Sequence, residues 1–208
     1  MAVLIVFQLI SLAFAITIHE FAHGWVAYKF GDYTAKYSGR LSLNPLAHID
    51  PVGTVLVPMA MVLLRLPPIG WAKPVPINFL NLRNPKRDML WVSLAGPCAN
   101  FLAAVLIALI IKVPLIRQNA LCVQLLSLTV LINLIIGVFN LMPIPPLDGS
   151  RVVMSLLPLR YLYLYNFVES YGFIIVIMLL WFGILRAVIL PIVIALGTFL
   201  RVDFSFLY

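Results

Sequence analysis

The chain alternates between long stretches without charged residues and short segments that are rich in them. Six stretches contain no Asp, Glu, Lys or Arg: residues 1–18, 51–64, 89–111, 118–147, 170–185 and 187–200. Three of them, 1–18, 89–111 and 118–147, reach the length of about 18 apolar residues that a helix needs to cross a bilayer. The pattern predicts an all-α polytopic membrane protein, organised as a single membrane-embedded domain over residues 1–208.

Turn-forming residues set the boundaries of the predicted segments. The first helix is predicted from about residue 2 to about Phe30, because Gly31-Asp32 follows it. Three further spans are predicted over residues 89–111, about 121–142 and about 166–185. Residues 187–200 are predicted to form either a sixth short span or an interfacial helix. We therefore expect about five to six membrane segments.

Basic residues indicate how the segments are oriented, since Lys and Arg concentrate in short cytoplasmic loops. Residues 29–50 hold three of them, 65–88 hold five and 151–160 hold two, whereas the loop 112–117 holds two. If the first three segments share the cytoplasmic side, ten basic residues lie inside and two outside, and residues 51–66 must enter the membrane and return. A full crossing at 51–66 is the alternative, and it would place five basic residues outside.

The polar stretch after the first helix has a different periodicity. Residues 40–44 alternate between polar and apolar side chains, as Arg-Leu-Ser-Leu-Asn. Such alternation is typical of a strand that is buried on one face. We expect a short strand or hairpin at the membrane surface here.

Composition supports a membrane protein and argues against nucleic-acid binding. Hydrophobic residues make up 63% of the chain and charged residues only 10%, whereas soluble domains contain about a quarter charged residues. The net charge of +7 is scattered over the connecting segments instead of lining one face. We therefore expect the bilayer, and not DNA or RNA, as the partner of this surface.

The first predicted helix contains His19-Glu20-x-x-His23, an H-E-x-x-H pattern. Four residues advance a helix by about 400°, so the two imidazoles stand one turn apart on one face and can bind a single metal ion, as in zinc metalloproteases. Glu20 is then placed as a general acid and base for the attacking water. Because two imidazoles and a carboxylate are costly inside a membrane helix, the pattern favours a metal site over a structural role.

A catalytic zinc site needs a third protein ligand. The candidates are Asp148 and His48. Asp148 follows an uncharged stretch of 30 residues and precedes Gly149, which could allow a turn that aims the carboxylate inward. His48 lies in a polar segment and could instead be a ligand in another state or an interfacial histidine. These grounds favour Asp148.

Three motifs together resemble the site-2 protease family of intramembrane zinc metalloproteases. They are His19-Glu20-x-x-His23, the sequence Gly-Pro-Cys-Ala-Asn at 96–100, and Asn-Leu-Met-Pro-Ile-Pro-Pro-Leu-Asp-Gly at 140–149. Similarity at residues 31–32, 44–50 and 70–76 resembles the compact prokaryotic branch, which lacks a PDZ domain. The resemblance implies His19, His23 and Asp148 as ligands of one Zn²⁺ per chain and Glu20 as the catalytic residue.

The resemblance also suggests roles for polar and small residues near the metal. Asn140 would line the active site and bind substrate backbone or the developing oxyanion, although a helix-to-helix hydrogen bond is the alternative. Gly96, Pro97 and Asn100 would shape close packing against the metal helix, with Pro97 near a helix start. His48 has at most a supporting contact. Residues 40–44 would offer an edge strand to an extended substrate peptide.

The expected function is hydrolysis of a peptide bond in or next to the transmembrane segment of a membrane protein substrate. The expected location is a prokaryotic cell membrane, with the active site toward the cytoplasmic leaflet. The alternative function is a multi-pass metal or proton transporter, which would place polar residues at several depths on several helices. This chain concentrates them in two motifs. The sequence holds no signal for an oligomeric state.

Overall fold

A computed structural model describes residues 2–63, 70, 72–158 and 169–204 of the chain. These residues form α-helices and short helical turns, with no strand among them. The α-helices are α1 (Ala2–Lys29), α2 (Thr34–Tyr37), α3 (Val57–Leu63), α4 (Pro85–Ile111), α5 (Pro114–Arg117), α6 (Ala120–Asn140), α7 (Asp148–Leu156), α8 (Gly172–Trp181) and α9 (Ile184–Leu200). The expectation of an all-α protein is confirmed for the described residues.

Three helices, α1, α4 and α6, are long and apolar enough to cross a membrane. They correspond to the first three predicted spans. The helices α8 and α9 form a fourth candidate only if they count as one span, because they meet at a bend of 74°. Gly183 forms this bend in the left-handed conformation, with φ at 71°. The described residues thus contain three to four candidate spans.

Two of the predicted segments extend beyond the described residues. The run 51–66 begins as a π-helical turn, Pro51–Leu56, and continues into α3. Its last residues, 64–66, lie outside the described residues, as do 166–168 at the start of the last predicted span. From residue 172 that span is helical as α8, and the separate segment predicted at 187–200 forms the greater part of α9.

The helix α4 lies at the centre of the fold and packs against α1, α6 and α7. Small side chains line these contacts: Ala15 on α1 and Ala104 on α4 are fully buried. Small residues allow helix backbones to approach closely, which is the main source of packing energy where lipid surrounds the helices. Larger apolar residues of α6, including Leu131 and Leu134, fill the core beside them. This arrangement brings the middle of α1 against the middle of α4.

The end of α1 is joined to the loop before α4 by a buried carboxylate. Gly31, with φ at 108°, ends the helix, and Asp32 directly after it is fully buried. The carboxylate accepts hydrogen bonds from Thr34, Asn78 and Asn81. Burial raises the pKa of this carboxyl, but these hydrogen bonds outweigh burial and hold the pKa below its usual value. The ionised Asp32 therefore fixes the loop around residue 78 against α1.

The strand or hairpin expected at residues 40–44 is wrong. These residues form a loop, and a 3₁₀ helix, Pro45–His48, begins directly after it. The Asn44 side chain caps this helix by accepting a hydrogen bond from the Leu46 amide. The guanidinium of Arg40 donates to the carbonyl oxygens of Ala47 and Lys73. Within the segment itself, the Asn44 amide donates to the Ser42 hydroxyl and the Ser42 carbonyl lies 2.9 Å from His48 Nε2, so local contacts take the place of strand pairing.

The position of Pro97 also differs from the expectation. The helix α4 begins at Pro85, so Pro97 lies in its interior and not near its start. The Asp88 carboxylate accepts a hydrogen bond from the Asn84 amide at 2.8 Å and stabilises the first turn. This turn is charged, and a search for uncharged runs therefore misses it. Since Pro97 has no N–H, the carbonyl of Ser93 has no helical donor at this point in α4.

Candidate metal centre

Three ligand atoms converge where α1, α4 and α7 meet. His19 and His23 face the same direction one turn apart on α1, with Nε2 atoms 3.0 Å from each other. Asp148, the first residue of α7, places Oδ2 3.0 Å from His19 Nε2 and 3.1 Å from His23 Nε2. Both histidines are buried. The structure thus brings together the three ligands that were predicted from the sequence.

Each histidine is oriented by a hydrogen bond from its other ring nitrogen. His23 Nδ1 lies 2.6 Å from the carbonyl oxygen of Val92, and His19 Nδ1 lies 2.6 Å from Oδ1 of Asn100. The amide nitrogen of Asn100 donates to the carbonyl oxygen of Ala15, which leaves Oδ1 as the acceptor facing His19. Both Nδ1 atoms therefore carry the proton, and both Nε2 atoms present a lone pair.

This arrangement suits a bound cation. In neutral imidazoles the two Nε2 lone pairs face the carboxylate oxygen at 3.0–3.1 Å, and without a metal ion a proton on one imidazole can join them. Burial raises the pKa of Asp148, but the positive charge of a protonated His23 or His19 and the hydrogen bonds from these rings hold this pKa well below its usual value, so the carboxylate is anionic. Two imidazoles and one carboxylate are a ligand set that suits zinc, and their atoms are close enough for one ion at about 2.0–2.2 Å from each.

Gly96 on α4 makes the cluster possible. A Cβ atom at this position would lie 2.7 Å from His19 Nε2 and closer still to His23 Nε2. Any side chain here would occupy the space of the ligand atoms. The absence of a side chain at Gly96 thus lets α4 lie directly against the two imidazoles of α1.

Glu20 lies beside the cluster and lines the same cavity, which has a volume of about 290 Å³. One carboxylate oxygen, Oε2, accepts a hydrogen bond of 2.8 Å from the backbone N–H of Val75. The carboxylate is not one of the three converging ligands. It therefore lies in the cavity beside the cluster, with one oxygen bound to the backbone and outside the group of ligand atoms.

Asn140, at the end of α6, also lines this cavity. Its amide nitrogen donates to the carbonyl oxygen of Ile136 in the same helix, at 3.1 Å. The structure therefore shows no hydrogen bond from this amide to another helix among the described residues. The side chain is at the site where the sequence predicted it.

His48 lies outside the cluster. It is buried, its Nε2 atom lies 2.9 Å from the carbonyl oxygen of Ser42, and its own carbonyl oxygen accepts from the Lys73 amide. The first contact lies within the segment between α2 and α3, and the second joins this segment to the loop before α4. The structure thus gives His48 a role in loop structure, and it supports Asp148 as the third ligand.

Gly149 allows the start of α7 to lie close to the backbone after α6, and it does not form a special turn. A Cβ atom there would collide with the backbone of Leu141 and Met142. The start of α7 therefore rests directly on the chain that leaves α6, and this contact sets the position of Asp148.

Sequence reasoning missed several residues around the site. Asn133 is fully buried on α6 and accepts a hydrogen bond of 3.0 Å from Asn100, which extends the chain of contacts from His19. An amide in an apolar span is a signal that could have identified it. Arg151 lines the cavity with its guanidinium 4.9 Å from the centre of the Phe79 ring, and its spacing of one turn from Asp148 could have pointed to it. The backbone groups of Val92 and Val75 leave no signal in the sequence.

Known proteins match this chain over most of its length. The family model of peptidase family M50 matches residues 115–183. The candidate zinc metalloprotease YwhC of Bacillus subtilis is 38% identical over 180 residues, covering 83% of this chain and 79% of YwhC. The candidate zinc metalloprotease Rip2 of Mycolicibacterium smegmatis is 29% identical over 167 residues, covering 80% of this chain and 63% of Rip2.

An archaeal protein, zinc metalloprotease MJ0392 of Methanocaldococcus jannaschii, is 26% identical over 189 residues, which are 90% of this chain and 45% of MJ0392. This chain therefore matches less than half of MJ0392, but more than three quarters of YwhC. No solved structure matches the chain significantly.

Removing a ligand should release the metal. We expect His19→Ala, His23→Ala and Asp148→Ala each to lower the zinc content of the purified protein from about one per chain to a small fraction, because a three-ligand site does not hold zinc tightly with two. His48→Ala is the matched control, as it removes a buried histidine outside the cluster, and it should retain zinc. Elemental analysis of detergent-purified protein measures the zinc content of each variant. Zinc loss in His48→Ala together with retention in Asp148→Ala would reverse the ligand assignment.

Adding one methyl group at Gly96 should have a similar effect without removing any ligand. In Gly96→Ala the new Cβ overlaps the imidazoles, so we expect the zinc content to fall well below that of the parent protein. Gly137→Ala is the control, since a Cβ there meets only the side chain of Phe101, at 3.0 Å. If both variants bind zinc as the parent does, close approach at Gly96 does not matter for the site.

Proposed function

Because this chain belongs to peptidase family M50, the site-2 protease family of intramembrane zinc metalloproteases, we propose that His19, His23 and Asp148 hold its zinc and that Glu20 is its catalytic residue. The observation that carries this proposal is the convergence of three ligand atoms within 3.1 Å of one another, beside a carboxylate in the same cavity. The chain is a zinc-dependent metallopeptidase with several apolar helices suited to a membrane.

The chemistry divides between the metal and the side chains of the cavity. Zinc bound at the three ligands would polarise the scissile carbonyl and lower the pKa of water. Glu20 accepts the proton of the attacking water and later delivers it to the leaving amine. Asn100 and the Val92 carbonyl hold the histidine rings in the orientation that binds metal, so that neither ring turns during the reaction.

Asn140 is proposed to bind the substrate. Its side chain lines the cavity at the end of α6, and its amide hydrogen not used toward Ile136 can be donated to a substrate carbonyl or to the oxyanion that forms from it. A donor in place before the reaction stabilises the developing charge more than the ground state. Gly96, Pro97 and Asn100 shape the site without touching substrate.

The proposed substrate is a membrane protein that is cleaved in or next to a transmembrane segment. A helix hides its carbonyl groups in its own hydrogen bonds, so the substrate must unwind locally before it reaches the cavity. Residues 74–77 border the cavity, through Pro74, Val75 and Ile77. Residues 40–44, which were expected to supply an edge strand, do not line the cavity. Any backbone pairing with substrate is therefore proposed for Ile77, because Pro74 and Pro76 have no N–H and the Val75 amide is bound to Glu20.

A transporter finds no support in the arrangement of polar groups. Outside the metal centre, the buried polar side chains of α1 and α6 are those of Ser11, Thr17, Ser127, Thr129 and Asn133. Ser11 and Thr129 are hydrogen-bonded to each other, and Thr17, Thr129 and Asn133 donate to backbone carbonyls. None of these side chains is ionisable in the physiological range, so the described residues of the two helices offer no chain of titratable groups for protons and no second ligand cluster for metal.

The orientation in the membrane is proposed from the distribution of basic residues. Ten of them lie in the segments 29–50, 65–88 and 151–160, against two in the loop 112–117. We place the first three segments on the cytoplasmic side of a prokaryotic cell membrane, and the active site toward that leaflet. Residues 51–66 then form a re-entrant segment, which with the spans gives five to six membrane segments.

Glu20→Gln should separate metal binding from catalysis. The amide is nearly isosteric with the carboxylate, so zinc should remain bound at the flanking histidines. Because Gln cannot accept the proton of water, cleavage should fall by about 10²–10⁴-fold. Zinc content and fragment production from a membrane-protein substrate, compared side by side with the parent protein, measure the two effects. Full cleavage by a zinc-loaded Glu20→Gln protein would refute the mechanism, and a transporter would yield no fragment from either protein.

Single cysteines should reveal the orientation. In a background in which Cys98 and Cys122 are replaced by Ser, we expect Lys36→Cys and Arg83→Cys to react with a membrane-impermeant maleimide only after the cells are opened. Lys112→Cys should react in intact cells. Labelling in detergent controls for the reactivity of each site. If Lys36→Cys and Arg83→Cys report opposite sides, residues 51–66 cross the membrane completely.

A further inference from the structure

The loop before α4 contributes one backbone hydrogen bond to the catalytic carboxylate. Val75 N donates to Glu20 Oε2 at 2.8 Å. Pro74 and Pro76 flank Val75 and carry no N–H, so Val75 supplies the one amide proton of these three residues. Each proline also restricts the residue before it to an extended conformation. The prolines thus limit the ways in which this short segment can present its amide.

Contacts on both sides of Val75 hold the segment over the site. On one side, Arg40 Nη2 donates to the Lys73 carbonyl at 2.8 Å, and the Lys73 amide donates to the His48 carbonyl at 3.0 Å. On the other side, the Asn78 amide donates to Asp32 Oδ2 at 2.8 Å. The buried Asp32 and the loop around His48 thus restrain the segment at both ends.

The side chain of Val75 rests on the same face of α1 that carries Glu20. Gly24 lies one turn after Glu20, and a Cβ atom there would come within 3.0 Å of Val75 Cγ1. Val75 itself is only 6% exposed. Because Gly24 has no side chain, the segment approaches α1 closely enough for its amide to reach the carboxylate.

We propose that the Val75 amide is a positioning group, which fixes one oxygen of the Glu20 carboxylate and leaves the other to exchange protons with water. This inference rests on the proposed role of Glu20 as catalytic base. A glutamate has three rotatable side-chain bonds, and a hydrogen bond from a restrained backbone selects among its rotamers before substrate arrives.

Val75→Pro removes the amide proton and keeps an apolar side chain at this position. The probe is a synthetic peptide with one transmembrane segment, cleaved in detergent micelles and followed by mass spectrometry. Because a misdirected base slows the chemical step, we expect kcat to fall by about 10- to 100-fold, with KM and zinc content close to those of the parent protein. Val75→Ala retains the amide, and we expect it to keep most of the kcat that Val75→Pro loses.

A second variant tests the proposal in case Val75→Pro does not fold correctly. Arg40→Gln releases the Lys73 carbonyl at a distance from the metal and leaves the Val75 amide in place. We expect a smaller decrease in kcat, again without loss of zinc. If Val75→Pro binds no zinc, it has not folded correctly, and the result for Arg40→Gln decides: unchanged kcat in that variant overturns the proposal.

A double-mutant cycle tests whether Val75 acts through Glu20. The thermal midpoint of unfolding is measured for Val75→Pro, for Glu20→Ala and for the two combined. If the hydrogen bond is the reason for the effect, the decreases in midpoint are not additive, since either change alone already removes the bond. Additive decreases contradict the proposal.

The outcomes separate this inference from the proposed function. If Glu20→Gln abolishes cleavage while Val75→Pro cleaves at the parental kcat, Glu20 is catalytic and only the positioning role is wrong. The positioning role also fails if Val75→Ala loses as much kcat as Val75→Pro. A higher kcat in Val75→Pro would mean that the amide inhibits Glu20, which is the reverse of the proposal. Full cleavage by Glu20→Gln would instead reject the proposed function.

Discussion

The rest of the structure depends on the close approach of three metal-binding groups in a buried site. Two imidazole lone pairs and a carboxylate oxygen lie 3.0–3.1 Å apart in a buried site. In water such groups would turn away from one another, but here the hydrogen bonds of His19 and His23 to Asn100 and Val92 hold them in place. The free energy of metal binding is therefore available to stabilise the contacts among α1, α4 and α7.

Two glycines at close helix contacts also determine where the metal-binding groups lie. The glycine on α4 faces the imidazoles, and the glycine on α7 faces the chain that leaves α6. In lipid, small residues at helix contacts usually serve van der Waals packing. At Gly96 and Gly149 the missing side chain additionally determines where the ligand atoms lie. A larger side chain, which can improve packing at other helix contacts, would displace the ligand atoms here.

The cluster of His19, His23 and Asp148 could be predicted from the sequence because the chemistry of the proposed ligands is concentrated in side chains. His19 and His23 have a helical spacing, and Asp148 interrupts an uncharged run. The three long spans were likewise evident from their lack of charge. The hydrogen bonds from the Val75 amide to Glu20 and from His23 to the Val92 carbonyl could not be predicted. Nearly every residue has a backbone amide and a carbonyl, and only the tertiary fold determines which of them lies beside a given side chain.

The errors in the prediction have different physical causes. Residues 40–44 alternate as a strand would, but no neighbouring strand is present among the described residues, and Arg40 and the cap at Asn44 satisfy the nearby backbone instead. The start of α4 was predicted too late because its first turn is charged, although the hydrogen bond between Asn84 and Asp88 stabilises that turn.

The separation of the ligands along the chain has a consequence for biosynthesis. His19 and Asp148 are 129 positions apart, so a ribosome makes the first helix long before the residue that completes the metal centre. A nascent chain that has inserted only α1 and α4 contains the two histidines but not the carboxylate of Asp148. The three proposed ligands can therefore meet only late in assembly, once α7 has been made and has packed against α4.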